Sequence, residues 1–144
     1  MTILKLSTEH IKDICRVDER CFQSPWSEAV VETLVKNQNA CVFGCFEDGI
    51  LAGYIALEWV LDEGSLTNLA VLPEYRRRGI AKNLTEALIE KAEELNLAFV
   101  TLEVRASNTP ASKLYSKTGF EEIGVRKGYY SNPREDAVLM TKYL

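Results

Sequence analysis

The chain has 144 residues, 47% of them hydrophobic and 26% charged, which suffices for one domain with a buried core and excludes a disordered or fibrous protein. Its formal charge of −4 argues against broad nucleic-acid binding and suits a cationic partner such as an amine or a basic peptide. No apolar run approaches the roughly 18 residues needed to span a bilayer, and Met1-Thr2-Ile3-Leu4-Lys5 lacks the basic and apolar regions of a secretory leader, so the expectation is a cytoplasmic protein with one domain, residues 1–144.

Residues 2–7 read as a short strand. Thr8 is placed to cap a helix whose apolar positions are Ile11, Ile14, Cys15 and later Cys21 and Phe22. Ser24-Pro25-Trp26-Ser27 interrupts the chain, and Ser27 can cap a second helix through Val35. Strands follow at 40–47 and 50–60, joined by Glu47-Asp48-Gly49, a hairpin signal. After Asp62-Glu63-Gly64 a further strand runs from Leu66 to Leu72, ended by Pro73. Beyond Gly79, Ile80, Leu84, Ala87, Leu88 and Ala92 form one helical face. Ala98–Val104 reads as a buried strand, Asn108 caps a short helix that stops at Gly119, and strands at 120–130 and 136–143 close the chain. The order is β-α-α-β-β-β-α-β-α-β-β, an α/β (α+β) arrangement with a mixed sheet of seven strands and four helices. The strand–helix–strand unit over 66–104 implies a parallel pair within that sheet.

The four cysteines, at 15, 21, 41 and 45, read as buried reduced thiols. Without a C-x-x-C, and with His10 as the only histidine, no metal site is expected. His10 reads as a surface residue near a helix start.

The segment richest in chemistry is Val71-Leu72-Pro73-Glu74-Tyr75-Arg76-Arg77-Arg78-Gly79-Ile80-Ala81, where a strand ends, a basic loop follows and a long helix begins at a glycine. The first turn of a helix leaves N–H groups unpaired and its dipole favours negative charge, so this is a candidate anion site. The same residues also fit a solvated basic turn. Neither G-x-x-x-x-G-K-[ST] nor G-x-G-x-x-G is present, so nucleotide hydrolysis and a dinucleotide fold are unsupported.

Arg76-x-x-Gly79-x-Ala81, between an apolar strand and an amphipathic helix, resembles the pyrophosphate-binding signature of the GNAT superfamily of N-acetyltransferases, and the element order matches that fold. The stretches Leu102–Asn108, Ala111–Tyr115 and Gly119-Phe120 resemble, within it, the bacterial ribosomal-protein alanine N-acetyltransferases. Shorter matches are Pro25-Trp26-Ser27, Leu61-Asp62-Glu63, Gly128-Tyr129-Tyr130 and Arg134-Glu135-Asp136-Ala137. One departure is Gly-Ile-Ala at the loop's end, where a second glycine is often found.

The resemblance implies an enzyme that transfers acetyl from acetyl-coenzyme A (acetyl-CoA) to the α-amine of an N-terminal alanine on a small-subunit ribosomal protein, the eighteenth. It implies that Arg76 and the loop amides of Arg77, Arg78, Gly79, Ile80, Ala81 and Lys82 hold the pyrophosphate. Backbone of Leu69, Ala70 and Val71 would hold the pantetheine arm and polarise the thioester carbonyl. Asn108 would be a further coenzyme contact, Glu103 the general base and Tyr115 the general acid, with no metal. Trp26, Tyr129 and Tyr130 could line an acceptor groove, and Glu63 or Asp62 could attract a cationic N-terminus.

The chemistry has a use for such residues. A peptide α-amine is about a tenth unprotonated at pH 7, a lysine only about once in a few thousand. A base therefore helps, and the leaving thiolate needs a proton. Structural roles remain open beside these. Glu103 alternates with Leu102 and Val104 and fits the solvent side of a strand; Tyr115 fits a packed helix residue; Asn108 is accounted for as a cap; the aromatics fit sheet packing. Acetylation of lysines or small amines, and acetyl-CoA binding without catalysis, are the competing functions.

Overall fold

The computed structural model describes all residues, 1–144. Strand β1 (Thr2–Lys5) leads through a 3-10 turn into α1 (Ile11–Cys21), and α2 (Glu28–Lys36) follows. Strands β2 (Ala40–Glu47), β3 (Ile50–Val60) and β4 (Glu63–Val71) form an antiparallel meander. Then come α3 (Ile80–Glu94), β5 (Phe99–Arg105), α4 (Thr109–Lys117), β6 (Glu121–Tyr130) and β7 (Glu135–Tyr143). All seven strands lie in one sheet, ordered β1-β2-β3-β4-β5-β7-β6, as the mixed α/β reading anticipates.

The central strands of the sheet are buried on both faces because their apolar alternation is served by helices on each side, while the edge strands β1 and β6 are largely exposed. Ile14, Val17, Val31 and Leu34 of α1 and α2 pack with Leu51, Tyr54, Ala56 and Ala70. Ile80, Leu84, Leu88 and Ala92, one face of α3, pack with Ile55, Leu57, Val71, Val100, Leu102 and Val104 on the other side. Two irregularities break the alternation in β2–β4. The β2–β3 register skips Ala52, and the β3–β4 register skips Thr67, so each strand reverses the face it presents at that point.

The elements depart from the sequence reading in a few places. The first strand ends at Lys5 because Leu6 turns into the core and Ser7, not Thr8, caps the next turn, its N–H donating to His10 Nδ1 at 2.9 Å. Strand β4 starts at Glu63, and the turn before it is made by Leu61 with φ of 54°. Gly64 is not a turn residue: a Cβ there would sit 2.9 Å from Leu97 Cδ1 and 3.1 Å from the Phe99 carbonyl oxygen, so glycine permits close approach of β4 to β5. Of the four free cysteines only Cys41 and Cys45 are buried; Cys15 and Cys21 flank the apolar stripe of α1 and are half-exposed.

Gly64→Ala is expected to destabilise the fold by about 1–3 kcal/mol through this overpacking, seen as a lower urea midpoint at unchanged slope.

Candidate active site

Strands β4 and β5 pair in parallel only at Glu63↔Phe99, Gly64↔Val100 and Ser65↔Thr101. Beyond the Thr67 bulge they separate, while β5 remains paired with β7 through Arg105. The gap opens into a cleft of about 820 Å³, walled by Leu66–Leu69 on one strand and Glu103–Arg105 on the other, with Trp26, Tyr115 and Tyr130 at its sides. A second groove of about 640 Å³ lies outside α4, lined by Lys113, Lys117 and Glu122, and reaches none of these groups.

The parted strands leave backbone groups unpaired. The Leu72 N–H donates to Ala52 O at 2.8 Å, and the Ala70 carbonyl lies against Gly53, so residues 70 and 72 spend their backbone on β3. By alternation, Leu69 and Val71 turn theirs toward the gap. The Val71 carbonyl there accepts from Arg76 Nε at 2.9 Å, which makes Arg76 an internal tie of the loop. Of the expected strand contacts, Ala70 is thus directed away from the cleft and packs into the α1–α2 core.

The basic loop has the form of an anion cradle. Arg77 and Gly79 both have positive φ, 64° and 79°, which turns successive N–H groups to one side. Nothing lies within 4 Å of where a Gly79 Cβ would be, so this glycine serves the backbone conformation, beside open space. The first helical bond of α3 runs from Asn83 N–H to Gly79 O, leaving the Ile80, Ala81 and Lys82 N–H groups without helical partners. No side chain caps this end and no acid lies in its first turn. Arg77, Arg78 and Lys82 are all solvent-exposed around it. A diphosphate fits this donor set, since the amides and the helix dipole both favour negative charge.

Glu103 and Tyr115 reach the cleft from opposite faces of the sheet. Leu102 and Val104 point into the α3 core, so Glu103 points to the α1–α2 side, its side chain 33% exposed and its Oε1 3.9 Å from Arg126 Nη1. Tyr115 belongs to the α3 core, 6% exposed and edge-on to Phe120. Burial raises its phenol well above the usual tyrosine value, with a smaller contribution from Tyr130. No buried side-chain nitrogen or oxygen lacks a partner, and the Tyr115 hydroxyl has none within the protein, so it opens to the cleft. Asn108 caps α4 through Ala111 N–H at 3.3 Å and also lines the cleft.

Of the expected acceptor residues, Trp26 and Tyr130 line the cleft. Tyr129 lies near Glu103, and the neighbouring carboxylate raises its phenol above the usual tyrosine value. Glu63 sits at the closed end of the β4–β5 pair, away from the cleft lining.

Two groups escaped the sequence reading. Arg105 donates to the carbonyls of Pro133 and Ser131, each at 3.0 Å, pairs with Glu135 at 3.2 Å and lies 4.5 Å over the Tyr130 ring. Glu135 in turn accepts from Ser107 N–H. Together they pin the 131–134 loop, one wall of the cleft, to the end of β5. The other group is a buried polar chain, Asp18, Tyr54 and Asn68. Its one sequence signal is an acid four residues after Ile14 on the apolar stripe of α1.

Residues 11–120 match the model of the acetyltransferase (GNAT) family. The chain belongs to that family. Among its relatives is the [ribosomal protein bS18]-alanine N-acetyltransferase of Escherichia coli, 38% identical over 143 residues that cover 96% of this chain and 95% of that one. The crystal structure of the ribosomal-protein-S18-alanine N-acetyltransferase from E. coli superposes with a TM-score of 0.91 at 35% identity, covering 99% of this chain and 92% of that one. Arabidopsis thaliana NAA60 in complex with acetyl-CoA shares the fold, with a TM-score of 0.89 at 19% identity over 99% and 98% of the two chains. The enzyme is thus an acyltransferase that uses acetyl-CoA, and no helix in it is long and apolar enough to cross a membrane.

The Glu135 carboxyl is held below its usual value by the Ser107 contact first and by Arg105 as well. A lowered folded value stabilises above the unfolded value and the benefit is lost as pH falls through the folded one. The 131–134 clamp should therefore persist at neutral pH and loosen only below the ordinary value of 4.5. Amide exchange of residues 131–134 against pH checks this, and Arg105→Met should raise that exchange already at neutral pH.

Proposed function

We propose that this acetyltransferase moves the acetyl group of acetyl-CoA onto the free α-amine of an N-terminal alanine, on ribosomal protein bS18, and that it does so in the cytoplasm as a single domain of residues 1–144. The observation that carries the reading is the split between β4 and β5, where one cleft brings together an exposed carboxylate, a buried phenol and unpaired strand amides beside an uncapped basic helix end. The likeness to the E. coli enzyme, spanning nearly all of both chains, supplies the acceptor.

In this reading the amides of Arg77–Lys82 hold the donor's pyrophosphate, with Arg78 and Lys82 adding positive field and Arg76 bracing the loop through Val71. The Leu69 and Val71 backbone lies alongside the pantetheine arm, and a strand N–H polarises the thioester carbonyl as oxygen gains charge. Asn108 contacts the coenzyme from the start of α4. The acceptor enters between Trp26 and Tyr130, and Glu103 removes a proton from its nitrogen, directly or through water. As the C–N bond forms and the C–S bond breaks, Tyr115 gives its proton to the departing thiolate. The proton taken by Glu103 passes to solvent and the phenol is reprotonated from solvent. A neutral amine and a thioester thus become an amide and a thiol with no net change in protons, and an amine that arrives as the ammonium releases one. Because burial raises the Tyr115 phenol, it remains a neutral O–H donor through mildly alkaline pH.

The direct test is acetyl transfer to a hexapeptide beginning with free alanine, beside the same peptide blocked at its N-terminus and carrying a lysine. Transfer to the free N-terminus alone is expected. Transfer to the blocked peptide would replace this reading with lysine acetylation, and binding of acetyl-CoA without turnover on any amine would replace it with a binding role. Glu103→Gln and Tyr115→Phe should each lower kcat by about 10²–10⁴-fold with acetyl-CoA affinity retained.

A further inference from the structure

Asp18 is 1% exposed and Tyr54 is 0% exposed, yet both belong to one polar chain that ends at the cleft. Asp18 Oδ1 accepts from the Tyr54 hydroxyl at 2.5 Å, Asp18 Oδ2 accepts from Trp26 N–H at 3.3 Å, and Asn68 Nδ2 donates to the Tyr54 oxygen. With both carboxylate oxygens accepting, the pattern is that of the ionised acid. No ammonium or guanidinium group bonds to it, so two hydrogen bonds serve a buried charge that an apolar residue would avoid.

The charge imposes a direction. An ionised carboxylate can only accept, so the Tyr54 hydroxyl must spend its single hydrogen on Asp18. Its oxygen then has only acceptor capacity for Asn68, which must offer its NH₂ group. The Asn68 carbonyl oxygen is consequently the free end of the chain. Asn68 is half-buried, follows the bulge at Thr67 and lines the cleft whose far wall carries Glu103. A neutral amine has two hydrogens and one lone pair. Two acceptors, one on each wall, would take the hydrogens and leave the lone pair aimed between them, toward the thioester.

We propose that Asp18 and Tyr54 form a directional relay that locks the Asn68 amide with its oxygen toward the cleft, where Asn68 accepts a hydrogen bond from the acceptor amine and orients it for attack. Asn68 is then a substrate-binding residue, and Asp18 and Tyr54 are positioning residues acting through it. The same Asp18 carboxylate holds Trp26 N–H, so the relay and the cleft wall at Trp26 share one anchor. This assignment rests on the amine-acetylating reading above but not on which amine is used.

The test is a double-mutant cycle with Asn68→Ala and Tyr54→Phe, read as kcat and KM for the alanine hexapeptide, acetyl-CoA affinity and melting temperature. Asn68→Ala should lower kcat/KM for the peptide roughly tenfold, the worth of one hydrogen bond, with acetyl-CoA affinity unchanged. Tyr54→Phe should lower kcat/KM similarly in the native background and by less than about twofold when Asn68 is already alanine, because its effect passes through that amide. Its cost in melting temperature should persist in both backgrounds. The proposal is overturned if Asn68→Ala leaves kcat/KM within twofold, or if Tyr54→Phe costs the same activity in both backgrounds, which a purely structural Tyr54 would produce. Turnover of only some other amine by the unaltered enzyme would sink the acceptor assignment instead, and the same cycle run on that amine would still decide the relay.

Discussion

Everything at the candidate active site depends on β4 and β5 ceasing to hydrogen-bond after three residue pairs. A continuous parallel pair would bury its backbone in ladder bonds and leave no gap. Here the close approach at Gly64 holds the strands together at one end, and the Thr67 bulge turns β4 away at the other. The exposed strand edge that results is normally a liability, open to wrong pairing. In this fold it is enclosed by the α1–α2 connection, by α4 and by the 131–134 loop, so it is accessible only through the cleft.

The split also explains how two groups from different layers of the molecule can meet one ligand. Glu103 and Tyr115 sit on opposite faces of the sheet, and an unbroken sheet would keep them apart. Their environments differ accordingly. The carboxylate is partly solvated and close to Arg126, while the phenol is enclosed by apolar side chains that disfavour its ionised form. The basic loop adds a third environment, where donors come from backbone geometry at Arg77 and Gly79 more than from the arginine side chains.

Buried polarity is concentrated around the same cleft. Asp18 and Tyr54 lie within an otherwise apolar core, and Arg105 and Glu135 bind a surface loop to β5. Burial raises the Asp18 carboxyl, and the Tyr54 and Trp26 bonds offset part of that. Groups of this kind are costly unless their partners are exact in number and direction, which makes them suited to fixing the orientation of a neighbouring amide or loop.

Much of this was legible in the sequence because it is local. The 3.6-residue spacing of Ile80, Leu84, Leu88 and Ala92, the Asp48-Gly49 turn, the Ser27 and Asn108 caps and the glycine at the start of α3 each depend on neighbouring residues, and the structure has them where the sequence placed them. What tertiary structure decided is what requires distant segments to meet. No spacing rule tells that Gly64 faces β5, that Ala70 spends its backbone on β3, or that Arg76 turns inward to Val71. Nor could it show that Asp18, Tyr54 and Asn68, from three elements, share one chain of hydrogen bonds. The physical reason is that propensity and periodicity report a residue's fit to its own element, whereas pairing register and buried polar contacts are set by where the elements pack.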